Sequence, residues 1–420
     1  MKFDISAEEI RLNCLRMHFT NQPILDIPQQ IQCEIARFRD RIFPGMRIAV
    51  AVGSRGISNY AHIVGEAVRQ LQLLGAAPFI VPAMGSHGGA TAEGQRDVLA
   101  SYGITEETMH VPIYSSMETV IMGQLPEDTS VNVYMDRFAY EADSVFVINR
   151  VKAHTDFHGE HESGLVKMLA IGLGKHMQAL SIHARLTRGL REYIPAITRE
   201  IIASGKILGG LAIVEDGYEQ TSILKGVFSE ELVQEDHRLL ELAKEMMPKL
   251  PFLHAHVLVV DQSGKNISGT GMDPNVIGRI GIRGQENGFP HIDRICVLDI
   301  TDQSHGNAAG IGLADIITER MQKKINWRDT YENILTTRAL ERGFMPIVQP
   351  TDRQAIEAAI CGVEKLPVSA LKLARIKDTL HIDTLFVTDA LLAQLSGDVD
   401  LLERGIPLEF DHYGTIKSPW

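Results

Sequence analysis

A chain of 420 residues is long for one folding unit, and 45% apolar against 22% charged residues leaves ample material for a core. Its formal net charge of −12 argues against a nucleic-acid partner or an anionic membrane surface, since either selects a basic face. The four cysteines are scattered without a CxxC pair, no apolar signal core opens the chain, and no run approaches the roughly 18–20 residues of a membrane span, so a cytoplasmic protein is expected.

In chain order, an edge segment precedes a helix predicted over 28–38, whose proline suits a first helical turn. The apolar run 46–52 reads as a strand that empties into Gly53-Ser54-Arg55-Gly56-Ile57-Ser58-Asn59, with a helix over 60–74 capped by Ser58. A second unit repeats this order. Strand 78–82 meets the turn Met84-Gly85-Ser86-His87-Gly88-Gly89, and Thr91 caps a helix running to about residue 102. Neither turn carries GxGxxG, so the dinucleotide fingerprint is absent. Strands follow over 131–135 and 144–148, then a long helix over 178–203, strands over 210–214 and 221–227, and a charged helix over 229–247.

Lys249-Leu250-Pro251 marks the expected boundary between domains 1–250 and 251–420, because proline ends the helix and a fresh strand over 256–261 begins. That strand delivers Gln262-Ser263-Gly264-Lys265-Asn266, and strand 294–300 delivers the polar turn Thr301 to Asn307. A helix over 327–342, strand 345–348, a helix capped by Thr351 and strand 384–387 complete the pattern. Alternating strands and helices on both sides of the boundary predict two open α/β domains with mostly parallel sheets and an active-site cleft between them. The last stretch, about 15 residues, is expected to pack back on the N-terminal domain.

Chemistry concentrates in residues 149–183, which hold five of the 16 histidines together with three lysines and two glutamates. Titratable groups after the C-terminal end of a buried strand are where open α/β proteins keep ligands. His154, His158 and His161 stand at i, i+4 and i+7, a spacing that on a helix would put three zinc ligands on one face and suit a hydrolase. Gly159 within the run and the absence of HExxH favour the plainer reading of His158 and His161 as solvated loop residues. Lys167 sits on an apolar background where desolvation would free its amine for a covalent link, although a snorkelling lysine fits the same pattern. His183 fits a ligand or a core histidine, and Arg55 and His87 at their turns fit anion binding, proton transfer or simple solvation. From the residues alone, the reading ends at an α/β enzyme acting on a small anion, or a non-catalytic anion-binding protein of that fold.

Three groups of residues resemble the nickel-pincer-nucleotide lactate racemase family: Gly53-Ser54-Arg55-Gly56 with Gly85-Ser86-His87, Arg150 to His154 with Glu162 to Lys167 and His183, and Gln262 to Lys265. The resemblance spans essentially the whole chain, and its most specific parts are the 16-residue step from Lys167 to His183 and the three-residue step from Gln262 to Lys265. It implies a pyridinium-3-thioamide-5-thiocarboxylate mononucleotide tethered at Lys167, with its nickel completed by His183. It further implies that Arg55, Gln262 and Lys265 line the cofactor site, with Arg55 and Lys265 also holding the substrate carboxylate. His87 and His154 are then the two bases: one takes the hydroxyl proton while the C2 hydride passes to the cofactor, and the other returns a proton on the opposite face. The implied partners are a 2-hydroxy acid and the proteins that make the cofactor.

Val52 stands where the family's lactate racemases carry an acidic residue, Gly56 where a proline often follows the arginine, and the step from His154 to Lys167 is longer. These departures touch the pocket, so a sugar acid or a longer aliphatic acid competes with lactate. Asp302, Gln303, Ser304, His305 and Asn307 form a polar turn that suits extra hydroxyls or the capping of a helix.

Overall fold

Most of the apolar strands read from the sequence assemble into two large sheets, each inside its own unit of this computed structural model. The structure describes residues 5–53, 56–283, 285 and 287–420. One unit comprises residues 20–247; the other joins the residues up to 19 to 248–420.

The first unit is built on five strands in the order Ala77–Pro82, Arg47–Val52, Ser144–Arg150, Ile207–Glu215, Thr221–Phe228. The first four run parallel and the last is antiparallel. Continuous β-branched runs belong in sheets covered on both faces, and the side chains alternate accordingly. Ile48, Val50, Val52, Phe146 and Ile148 pack on helices Ile27–Ala36 and Tyr60–Leu73. Ala49, Ala51, Val145 and Val147 face helices Ile194–Ala203 and Leu232–Met246. Because the strands are parallel, Val52, Pro82 and Arg150 all end at one edge of the sheet, and each opens there into a polar turn.

The second unit holds an eight-stranded sheet in the order Ile347–Gln349, Ile316–Thr318, His291–Ile300, His254–Ser263, Leu373–Ile376, Thr384–Val387, Arg11–Met17, Val399–Pro407. The first five are parallel and the remaining pairings antiparallel. Both sheets are thus parallel over their larger part, as the alternating pattern predicts.

Several local readings change. The N-terminal segment pairs with Thr384–Val387 and Val399–Pro407 and so clusters with residues 248–420, not with the domain that follows it in sequence. The last residues lie on that same unit, where Trp420 Nε1 donates to Asp261 Oδ2 at 2.7 Å. The strand read over 131–135 belongs to a separate ribbon, Thr119–Leu125 with Asp128–Asp136. Thr91 and Thr351 cap their helices through Gly94 N and Gln354 N. Ser58 does not: Asn59 precedes the helix at φ 58°, and the Ser58 amide donates to Glu215 Oε1 at 2.7 Å. The single helix read over 178–203 is broken into Lys175–His183, Leu186–Arg188, a π-turn Gly189–Tyr193 and Ile194–Ala203. Among the described residues, no helix is long and apolar enough to cross a membrane.

Phe38 is fully buried, edge-on to Phe146 at 5.3 Å between centroids and 4.7 Å from Phe228. Phe38→Ala should therefore lower the unfolding free energy by about 3–5 kcal/mol in urea titration. An unshifted midpoint would show that this ring does not seal the helix Ile27–Ala36 to the sheet.

Candidate functional site

The strand-end turns of the first unit pack on residues 164–172. A Cβ on Gly53 would lie 2.6 Å from Met168 Cε, and one on Gly172 would lie 2.7 Å from the Ala83 carbonyl oxygen. The Gly85 amide donates to the Gly172 carbonyl at 3.3 Å, and Asn149 Nδ2 to the Gly164 carbonyl at 3.1 Å. At Gly172 glycine is needed because a side chain would hold the backbone off the Ala83 carbonyl. Lys167 closes the short helix Leu165–Lys167, and the turn after it, Met168–Gly172, is π-helical. Asp236, itself buried, holds the start of this segment. Its Oδ1 accepts from the Leu165 amide at 2.6 Å and the Val166 amide at 3.3 Å, occupying the space a Gly164 side chain would need.

His154 and Lys167 meet on one aromatic ring. The His154 ring centroid lies 4.8 Å from that of the buried Phe157, and Lys167 Nζ stands over the same ring at 5.8 Å. The loop bearing His154 is held by Glu162, whose side chain is fully buried. That carboxylate accepts from the His154 amide at 2.6 Å and the Gly159 amide at 3.2 Å, with His158 Nδ1 at 3.4 Å and Lys244 Nζ at 3.1 Å. Burial alone would raise the Glu162 carboxyl, but the bonds from His158 and His154 and the Lys244 ammonium outweigh it and hold it below the usual range. His154 Nδ1 accepts from the Asp156 amide at 3.0 Å, so the neutral ring carries its hydrogen on Nε2.

His87 is exposed on its turn, and His183 is exposed at the end of the helix Lys175–His183. A Cβ on Gly85 would come within 3.9 Å of Ala179 Cβ, and His183 lies one helical turn beyond Ala179 on the same face. Lys175, in contrast, is fully buried. Arg55 lies outside the described residues.

Gln262 and Lys265 belong to the other unit, at and just beyond the C-terminal end of the strand His254–Ser263. Gln262 is exposed. The Lys265 amide donates to Ser304 Oγ at 2.8 Å, and its ammonium to the Gly269 carbonyl at 2.6 Å and Asn333 Oδ1 at 3.2 Å. Ser304 Oγ also lies 2.7 Å from Thr301 Oγ1, and Asn307 Oδ1 accepts from the Ala309 amide at 3.1 Å. The polar turn thus braces its own backbone and the Lys265 loop.

The three-histidine zinc reading does not hold. Residues 154–161 are irregular rather than helical, so the i, i+4, i+7 spacing gathers no common face. Nor is His161 a solvated loop residue: it is buried, its Nδ1 3.3 Å from Asp236 Oδ2. Among the described residues, the one set of three or more metal-ligating side chains within 4.8 Å of one another is His254, His256 and Asp293. His256 Nδ1 there accepts from the Lys372 amide at 3.0 Å, which leaves the hydrogen on Nε2 and removes that nitrogen as a ligand.

No family model matches the chain, and no curated protein matches it. Among solved structures it is similar to the lactate racemase apoprotein from Thermoanaerobacterium thermosaccharolyticum, at 13% identity and a TM-score of 0.47 over 87% of this chain and 93% of that one. It is also similar to a protein from Thermotoga maritima, at 15% identity and a TM-score of 0.45 over 67% of this chain and 72% of that one.

Sequence reading missed Phe157, Asp236, Lys175 and the central position of Glu162. Glu162 had a local signal, as an acid next to His161, and Phe157 lies among its partners His154 and Lys167, whereas Asp236 and Lys175 meet partners far away in the chain.

The depressed Glu162 carboxyl carries a pH signature. Its stabilising contribution is complete above the unfolded value of about 4.3 and is lost as pH falls through the lower folded value. Glu162→Gln should thus destabilise the protein at pH 7 and narrow the stability difference between pH 7 and acid. Parallel melting curves for the two proteins across that range would refute it.

Proposed function

We propose that this protein is a racemase or epimerase that inverts C2 of a 2-hydroxy acid, using a nickel-pincer nucleotide tethered at Lys167 with His183 as the protein ligand to nickel. The observation that carries the reading is the convergence of His154 and Lys167 on Phe157, at the sheet edge where the His87 turn packs on the same segment.

The residues fit the group. Lys167 is half-buried with its amine over an aromatic face, whereas Lys175 is fully buried and engaged with Asp136. The exposed imidazole of His183 is a nitrogen donor of the kind square-planar nickel takes beside sulfur. Gly85 and Gly172 let the turn after Pro82 close on residues 168–172, and Gly53 lets the turn after Val52 sit on the Met168 side chain. When bound, the nucleotide supplies a hydride acceptor for the carbinol carbon.

The chain's own residues supply the rest. His87 and His154 move the hydroxyl proton on opposite faces of the substrate, which inversion requires because the two enantiomers present their hydroxyls from opposite sides. The Asp156 amide makes neutral His154 a donor at Nε2, ready to bond a substrate oxygen. To take a proton there the ring must first release that amide. Arg55 and Lys265 are the cations assigned to the carboxylate, and a carboxylate on Lys265 would replace Gly269 and Asn333 as acceptors. Gln262, with Arg55 and Lys265, is assigned to the cofactor. With Val52 in place of an acid and no fixed partner class for the polar turn, the substrate stays at the level of a 2-hydroxy acid.

Protein made together with the cofactor-biosynthesis enzymes should gain the mass of the nucleotide. Lys167→Ala should abolish the increment and Lys152→Ala should retain it; an increment that survives Lys167→Ala sinks the assignment. Nickel should behave separately from the tether. His183→Ala is expected to lose most of its nickel by elemental analysis while keeping the organic mass, and full nickel occupancy in that variant would remove His183 from the ligand set.

A further inference from the structure

Beneath the His87 turn lies a buried polar chain that the proposed reaction does not use. Gln95, fully buried in the helix Ala92–Ser101, donates through Nε2 to the Gly85 carbonyl at 2.9 Å and the His87 carbonyl at 3.3 Å. Its Oε1 accepts from Lys175 Nζ at 3.0 Å. The same ammonium donates to the Pro82 carbonyl at the end of the strand Ala77–Pro82, and stands 3.2 Å from Asp136 Oδ2. Asp136 Oδ1 in turn accepts from the Ala139 amide at 2.9 Å.

Stability does not account for a lysine here. Burial drives the ammonium toward its neutral form and Asp136 toward its protonated one, each against the pull of its partner. An apolar side chain of the same length would fill the space at lower cost. What an ammonium adds is direction: two hydrogen bonds and one ion pair on a single nitrogen fix three elements relative to one another. Lys175 itself opens the helix that ends at His183, with backbone φ of 53° where the π-turn gives way to that helix.

We infer that Lys175, acting through Gln95, is a positioning residue that locks the His87 turn to the start of the helix carrying His183, so that the proton-transfer group and the nickel ligand are held by one buried contact. The inference rests on the proposed roles of His87 and His183. The lock itself is a claim about the protein with or without cofactor.

The test is a double-mutant cycle of Gln95→Met and Lys175→Met in the full chain, read by hydrogen exchange of residues 84–90 and by the His87 ring-proton resonance, assigned with His87→Gln. Each single variant should speed exchange of 84–90 by about tenfold and move the His87 resonance. The double variant should match Gln95→Met alone, because one path is being cut twice. Exchange in the helix Ala92–Ser101 should be unchanged in Gln95→Met. If Lys175→Met fails to fold because Asp136 loses its counter-charge, Lys175→Met with Asp136→Asn takes its place. Unchanged exchange and resonance in Gln95→Met, or additive effects in the double variant, would overturn the lock. A wild-type chain that never acquires the cofactor mass defeats the racemase reading instead, and leaves the cycle standing.

Discussion

The Asp236 carboxylate at the start of the Leu165–Lys167 helix is the contact on which the rest of the first unit's polar edge depends. One oxygen takes two backbone amides, and the other faces His161 in a site closed to water. In such a place an amide without an acceptor costs about 1–3 kcal/mol, so the carboxylate fixes where the chain turns inward. From that start, residues 164–172 pass directly under the turns that end the strands Arg47–Val52, Ala77–Pro82 and Ser144–Arg150. Moving this segment would move all three turns.

Around it the charges follow one rule. Glu162, Asp236, Asp136 and Lys175 are all buried, and each meets an opposite charge, a histidine or backbone donors. Buried charges kept in this way contribute less to net stability than to a defined geometry. His87 and His183 are exposed, and Gln95 holds the His87 backbone from beneath. A rigid base under an accessible imidazole is what proton transfer or metal ligation needs.

In the histidine-rich stretch, closeness in sequence does not bring the side chains to a common point. His154, His158 and His161 are close in sequence, yet one stacks on Phe157, one bonds Glu162, and one is buried on Asp236. Glu162 and Asp236 draw these rings toward different carboxylates, which leaves no shared point for a metal. The excess of titratable residues still marks the edge where His154 and Lys167 meet.

From the sequence by itself came the strands, because a run such as Ile48 to Val52 is apolar on both faces and can only be a covered strand. The two glycine-bearing turns, the Thr91 and Thr351 caps and the mainly parallel sheets followed from the same local chemistry. Tertiary structure alone decided that the N-terminal strand joins a sheet more than 360 residues away, where Asn13 pairs with Val387. It also decided that His161 turns inward to an acid 75 residues on, and that Lys175 rather than Lys167 is the buried lysine. Local patterns report how a residue meets its neighbours along the chain. Burial of a charge is decided by which distant partner arrives to meet it, and no local pattern carries that information.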